Sequence, residues 1–237
     1  MLPPNDPTRS ASAPDGHQAA TVRLSLSEIN ALCFKAARGA GLGWGEAEEA
    51  GWAAAWLSRA GLAGPKIILG WLADAATLAR PAPSPDRWAA RAHAHCPLRT
   101  GAALADFAGL PEGPGDGALI VERVAHPLVT LPFVAQAAGR LDLGLSIGWA
   151  DVEVLLDAAG RMSAFAMPER DHREATVITI APKHDPATPG ATRHEAATVT
   201  AVALGDWQAL DALALRITVP PSPQSRAGAG AAGDDND

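Results

Sequence analysis

The apolar pattern changes its period near residue 110, and that switch limits what this chain can become. Before it, apolar residues recur at helical spacing. After it, short β-branched runs follow one another, mostly with no helical pattern between them. Strands joined without long crossovers pair antiparallel. The expectation is an α+β protein, with a helical N-terminal half of about four helices packed against a mainly antiparallel sheet from the C-terminal half.

Local signals place the elements. Ser25 and Glu28 have the spacing of a capping box, in which hydroxyl and carboxylate each satisfy a free helix N–H. Ile29, Leu32, Cys33 and Ala36 then form one apolar stripe, and the helix is expected to stop at Gly39-Ala40-Gly41. A second helix is expected over 45–60. Glu46, Glu48 and Glu49 crowd its first turn, Arg59 lies near its end, and Trp52 and Trp56 share a face. A third is expected over 67–78, then a Pro-rich link over 81–85 and a fourth helix over 86–94. Strands are expected over 118–124, 141–149, 151–156, 162–166, 175–181 and 196–204. Asp157 to Gly160 reads as a hairpin turn. Residues 127–139 are ambiguous, extended at 128–131 and helical at 133–139, and 207–215 reads as a short helix. Residues 1–20 read as a disordered leader, 21–226 as a single α+β domain divided at 110/111, and 227–237 as a Gly/Asp-rich C-terminal segment.

Composition sets outer limits. Of 237 residues, 48% are hydrophobic and 19% charged, enough apolar surface for a core. A net charge of −7 without a basic run disfavours nucleic-acid binding. No stretch approaches the roughly 18 apolar residues of a membrane span, and no secretory signal opens the chain. Two cysteines, Cys33 and Cys96, do not make a disulfide framework, so free thiols in the cytoplasm are expected. Tyrosine is absent, which removes tyrosine catalysis.

Chemistry-bearing patterns are sparse. His93, His95 and Cys96 have zinc-type ligands at an awkward spacing with no second pair, so no metal is assigned. His126, His172, His184 and His194 are scattered, and Asp171-His172 and His184-Asp185 read as solvated loop charge. There is no nucleophile elbow, no P-loop and no dinucleotide fingerprint, hence no cofactor is expected. Two segments remain. Lys35, Arg38, Gly39, Gly41 and Trp44 combine two cations, a glycine turn and a new helix N-terminus, a combination suited to a carboxylate or phosphate. Ser225, Arg226, Gly228 and Gly230 form a glycine-rich stretch that permits close backbone approach.

The same two segments carry a resemblance. Lys35 to Gly41, Trp44-Gly45, Ala47 to Gly51 and Trp56-Leu57, with Val219-Pro220, Ser222, Ser225-Arg226, Gly228 to Gly230 and Asp235 to Asp237, resemble an uncharacterised bacterial family, domain of unknown function 3726. The chain departs from that pattern at Thr218 and Gln224. The resemblance implies no known activity, but it gives the C-terminal segment more weight than a loose tail. The helical hairpin and Gly61 to Gly64 also resemble the start of the non-Rossmann malate and L-lactate dehydrogenases. Pro65-Lys66-Ile67 stands where that family has Ser-His-Gly, so its activity is not carried over.

The expected function is therefore a small-molecule-binding protein or metabolic enzyme with an anionic ligand. Lys35, Arg38 and Arg226 would supply charge, and the glycines backbone donors. The alternative is a non-catalytic partner or assembly subunit, or a homo-oligomer, with Trp44, Trp149 and Trp207 on an exposed apolar patch.

Overall fold

A computed structural model describes residues 20–166, 173–183 and 198–217. The mixed α+β class holds, with six α-helices among the described residues. Helix α1 (Leu26–Gly39) opens on the expected capping box: the Glu28 amide donates to Ser25 Oγ at 3.3 Å and the Ser25 amide to Glu28 Oε2 at 2.8 Å. It ends in a Schellman motif. Gly41, at φ 95°, lets its own amide reach the Arg38 carbonyl and the Leu42 amide reach the Ala37 carbonyl. Helix α2 (Trp44–Arg59) turns back along α1 on a face of Ala47, Ala50, Gly51 and Ala54. Small side chains there let the two backbones approach closely, which explains why so alanine-rich a helix still fills its share of core. Helix α3 (Gly64–Leu72) follows, with Pro65 in its first turn.

Two expectations fail in the next stretch. Residues 86–94 are not helical. Strand β2 (Arg87–Trp88) pairs in parallel with β3 (Leu119–Ala125), the Trp88 indole donates to the Glu112 carbonyl at 2.9 Å, and Asp86 takes a left-handed φ of 62°. Tertiary pairing here overrides an alanine-rich helical pattern. The fourth helix lies further on, as α4 (Pro97–Asp106). Residues expected to be extended over 128–131 instead form a 3₁₀ turn (Pro127–Thr130) leading into α5 (Leu131–Leu141), because Pro127 and Pro132 suit helix starts better than strand interiors.

The rest is the sheet. Strands β4 (Gly144–Trp149), β5 (Val152–Leu156), β6 (Met162–Ala166) and β7 (Glu174–Lys183) complete the order β2-β3-β7-β4-β5-β6, antiparallel throughout except for β2-β3. A separate pair joins β1 (Thr21–Ser25) to β8 (Val199–Ala203), followed by α6 (Leu204–Ala214). Alternate residues of the sheet point inward, such as Leu145, Ile147 and Trp149 of β4. They meet Leu131, Val134 and Ala138 of α5 in one apolar core, while α1, α2, α3 and α6 share a second. Helix α2 serves both: Ala47 to Ala54 belong to the helical core and Leu57 to the sheet core. Among the described residues, no helix is long and apolar enough to cross a membrane.

Candidate functional site

The expected cationic segment forms the corner where α1 meets α2. Arg38 is half-buried. Its Nη1 donates to the Leu42 carbonyl, and its guanidinium lies 5.0 Å from the centroid of the Trp44 ring, which packs against Phe34 at 5.3 Å. One cation is thus fixed in position by a hydrogen bond and an aromatic face. Lys35, one turn earlier, is exposed. Trp44 itself is 63% exposed.

The glycines have other duties at this corner. A Cβ on Gly39 would stand 1.8 Å from the Leu213 carbonyl oxygen, so the missing side chain is the seat of α6. The Gly41 amide is used inside the Schellman motif. The α2 N-terminus has no side-chain cap from Gly43, but the Gly43 amide donates back to the Glu46 carboxylate. Glu46 also takes a hydrogen bond from Arg99 Nε at 2.6 Å. Arg99 first, then its charge and the Gly43 amide, hold the Glu46 carboxyl below the usual carboxylate range despite partial burial. The protein's own carboxylate therefore occupies the positive end of α2. Ser225, Arg226, Gly228 and Gly230 lie outside the described residues.

The remaining expectations separate in the same way. His93 is exposed while His95 and Cys96 are buried, and no group of three His, Cys, Asp or Glu side chains gathers as a metal set among the described residues. Of the three tryptophans named for a partner surface, Trp149 is buried on β4 and Trp207 packs against the helical core. His172, His184 and His194 lie outside the described residues.

One pairing has no signal in the sequence. His126, at the end of β3, places Nε2 3.0 Å from Asp74 Oδ2, although 52 residues separate them. Its backbone sits in the left-handed region at φ 44°, held by its amide on the Arg173 carbonyl and its carbonyl under the Val129 amide. A non-glycine residue there is strained and needs such bracing. The ring edge carrying Nδ1 faces Gly70. An oriented carboxylate–imidazole pair can move a proton. Nearby, His95 is 2% exposed with no hydrogen-bond partner for Nδ1 among the described residues, and burial is the main cause that lowers its pKa. Only the fold brings these side chains to the β3 edge; no spacing announces them.

Two concave surfaces are also present. One, of about 370 Å³, lies between α2, α5 and the β5–β6 turn; the other, of about 450 Å³, crosses β4, β5 and β7 on the sheet's outer face at Ser146, Gly148, Glu153, Val177 and Thr179.

No curated protein and no solved structure matches the chain. Residues 24–108 match the model of one family, and this span runs from the end of β1 through α4, including the whole α1–α2 corner. The C-terminal motif that shares the resemblance lies beyond the matched span. The family matched over residues 24–108 is described as "Protein of unknown function (DUF3726)".

Proposed function

We propose that this is a cytoplasmic small-molecule-binding protein, or a metabolic enzyme, whose ligand presents a carboxylate or phosphate to Lys35 and Arg38 at the α1–α2 corner. Ser225, Arg226, Gly228 and Gly230 complete the site in this reading. The observation that carries it is the docking of α6 on Gly39. Leu213 meets that glycine, and the following 3₁₀ turn (Leu215–Ile217), where the described residues end, lies beside α1. The fixed Arg38 guanidinium supports the reading, since a cation already held in place loses little freedom on binding. The glycine amides and the α2 N-terminus are engaged within the protein. Recognition at the α1–α2 side is therefore by the two side chains. A net charge of −7 argues against nucleic acid as the anion.

The test is a thermal-shift screen against carboxylates and phosphates with the wild type, Arg38→Ala and Arg226→Ala. A ligand at a hundred times its Kd stabilises by about 2.7 kcal/mol. The expected result is a hit that both substitutions abolish; a hit indifferent to both removes the site.

A second reading rests on the same corner's apolar exposure. Trp44, Leu215 at 59% and Ile217 at 43% are large side chains left to solvent. Such groups anchor protein interfaces. Light scattering on wild type and Trp44→Ser separates the readings: a self-associating protein loses mass with the substitution, whereas a small-molecule binder does not.

A further inference from the structure

Helix α2 carries Trp52 and Trp56 one turn apart, both half-buried, on the face toward α5. Across from them α5 carries Gln136 and Arg140, also one turn apart and both exposed. The turn between β5 and β6 closes one end with Ala159 and Gly160. Three elements far apart in sequence thus border an open groove of about 370 Å³, within the roughly 300–1,000 Å³ of small-molecule sites. The walls are chemically unlike. One offers two half-buried indoles, Trp52 meeting Phe133 edge-on with ring centroids 5.2 Å apart; the other offers an amide and a guanidinium, and the members of each pair lie about 6 Å apart along their helix.

The charge balance narrows the occupant. Arg140 Nη1 donates to the Ala105 carbonyl and to Asp106 Oδ1 at 3.1 Å, so its charge is offset and its direction is set. Glu49 stands one turn before Trp52 on α2, and its carboxyl is pushed up first by burial and then by the Asp106 and Glu46 charges. With the Asp106 carboxylate already on its one guanidinium, the cleft is no attractor of anions. A purely apolar guest would leave the exposed Gln136 amide unused.

From this arrangement we infer a second binding site, for a neutral polyhydroxylated ring of sugar size. Its C–H face lies on Trp52 and Trp56 and its hydroxyls reach Gln136 and Arg140. The stack supplies contact area and the facing pair supplies orientation. This site shares no residue with the α1–α2 corner, and it stands or falls apart from the anion reading.

The test is a tryptophan-fluorescence and calorimetric titration of the full chain with glucose, galactose, mannose, N-acetylglucosamine and maltose. Indole, citrate and inorganic phosphate serve as contrasting probes. The expected result is saturable millimolar binding of at least one sugar, weakened about tenfold or more by Trp56→Phe and by Gln136→Ala. Gln136 is exposed, so its removal leaves the fold intact. The inference is overturned by the absence of saturable binding for every sugar, by a sugar signal that both substitutions leave unchanged, or by a preference of this cleft for indole or an anion.

Discussion

Helix α2 has two ends of opposite character. At its N-terminus the chain makes a corner mostly from residues close in sequence, and the polar groups there are largely engaged: Arg38 with Leu42 and Trp44, Glu46 with Arg99 and Gly43. Toward its C-terminus α2 helps form a concave cleft from α5 and the β5–β6 turn, elements far away in sequence. The corner looks more like a site on paper because glycines and cations sit close together in the chain. The cleft is an open groove whose walls meet only in the fold. Glycine marks both places, and the difference lies in what fills the room beside it. At Gly39 it is another helix of the same protein; at Gly160, where φ is 68°, it is the Ala135 carbonyl.

The sharpest way to break this comparison is Gly39→Ala. The new methyl group meets backbone atoms of Leu213, which cannot rotate away, so α6 must shift. A loss of about 2–4 kcal/mol in urea unfolding is expected, in the range of overpacked cores. Gly41→Ala is the control. It meets nothing within 4 Å but requires a positive φ, so about 1–2 kcal/mol is expected from the cap alone. If Gly41→Ala proves the more damaging, α6 is not seated on Gly39 and the support for a site built from the C-terminal segment goes with it.

Gly160→Ala probes the cleft and ranks next. Its Cβ would stand 2.6 Å from the Ala135 oxygen in a left-handed backbone, so the turn must lift off α5. A loss of about 1–3 kcal/mol is expected. The cleft should lose its closed end at the same time. Sugar affinity falling together with stability ties the turn to the site; stability falling alone leaves the tryptophans and α5 as a sufficient site.

Legibility followed sequence distance. Ser25 and Glu28 announced the start of α1, and Gly41 its end, because capping is settled by neighbours within one turn. Asp157 and Gly160 announced the β5–β6 turn for the same reason: the Asp157 carboxylate caps the Ala159 and Arg161 amides locally. Residues 86–94 misled because β2 exists only through its pairing with β3, some thirty residues on. Trp52 and Trp56 were visible as a shared helical face. Their facing partners Gln136 and Arg140 were not, since nothing in the spacing of α2 says which helix will stand opposite. The His126–Asp74 pair was hidden by the same rule.

The smallest expected effect sharpens the corner most. Glu46→Gln removes the carboxylate that sits on the α2 N-terminus and pairs with Arg99, with both groups partly exposed, so about 0.5–1 kcal/mol of stability is at stake near neutral pH. Its pH dependence has a definite sign. The folded pKa lies below the ordinary 4.5, so the unfolded chain takes up this proton first as pH falls. The contribution is complete above about 4.5, the ordinary value, and fades as pH drops through the lower folded value. Unfolding curves of wild type and Glu46→Gln should differ at pH 7 and converge in acid. The same substitution takes one negative charge away from Lys35 and Arg38's end of the helix. An anion bound at the corner should therefore bind Glu46→Gln more tightly than wild type, while a sugar in the cleft should not notice the change. An anion bound equally well by both proteins lies elsewhere, and the contrast between the two ends of α2 would then reduce to packing.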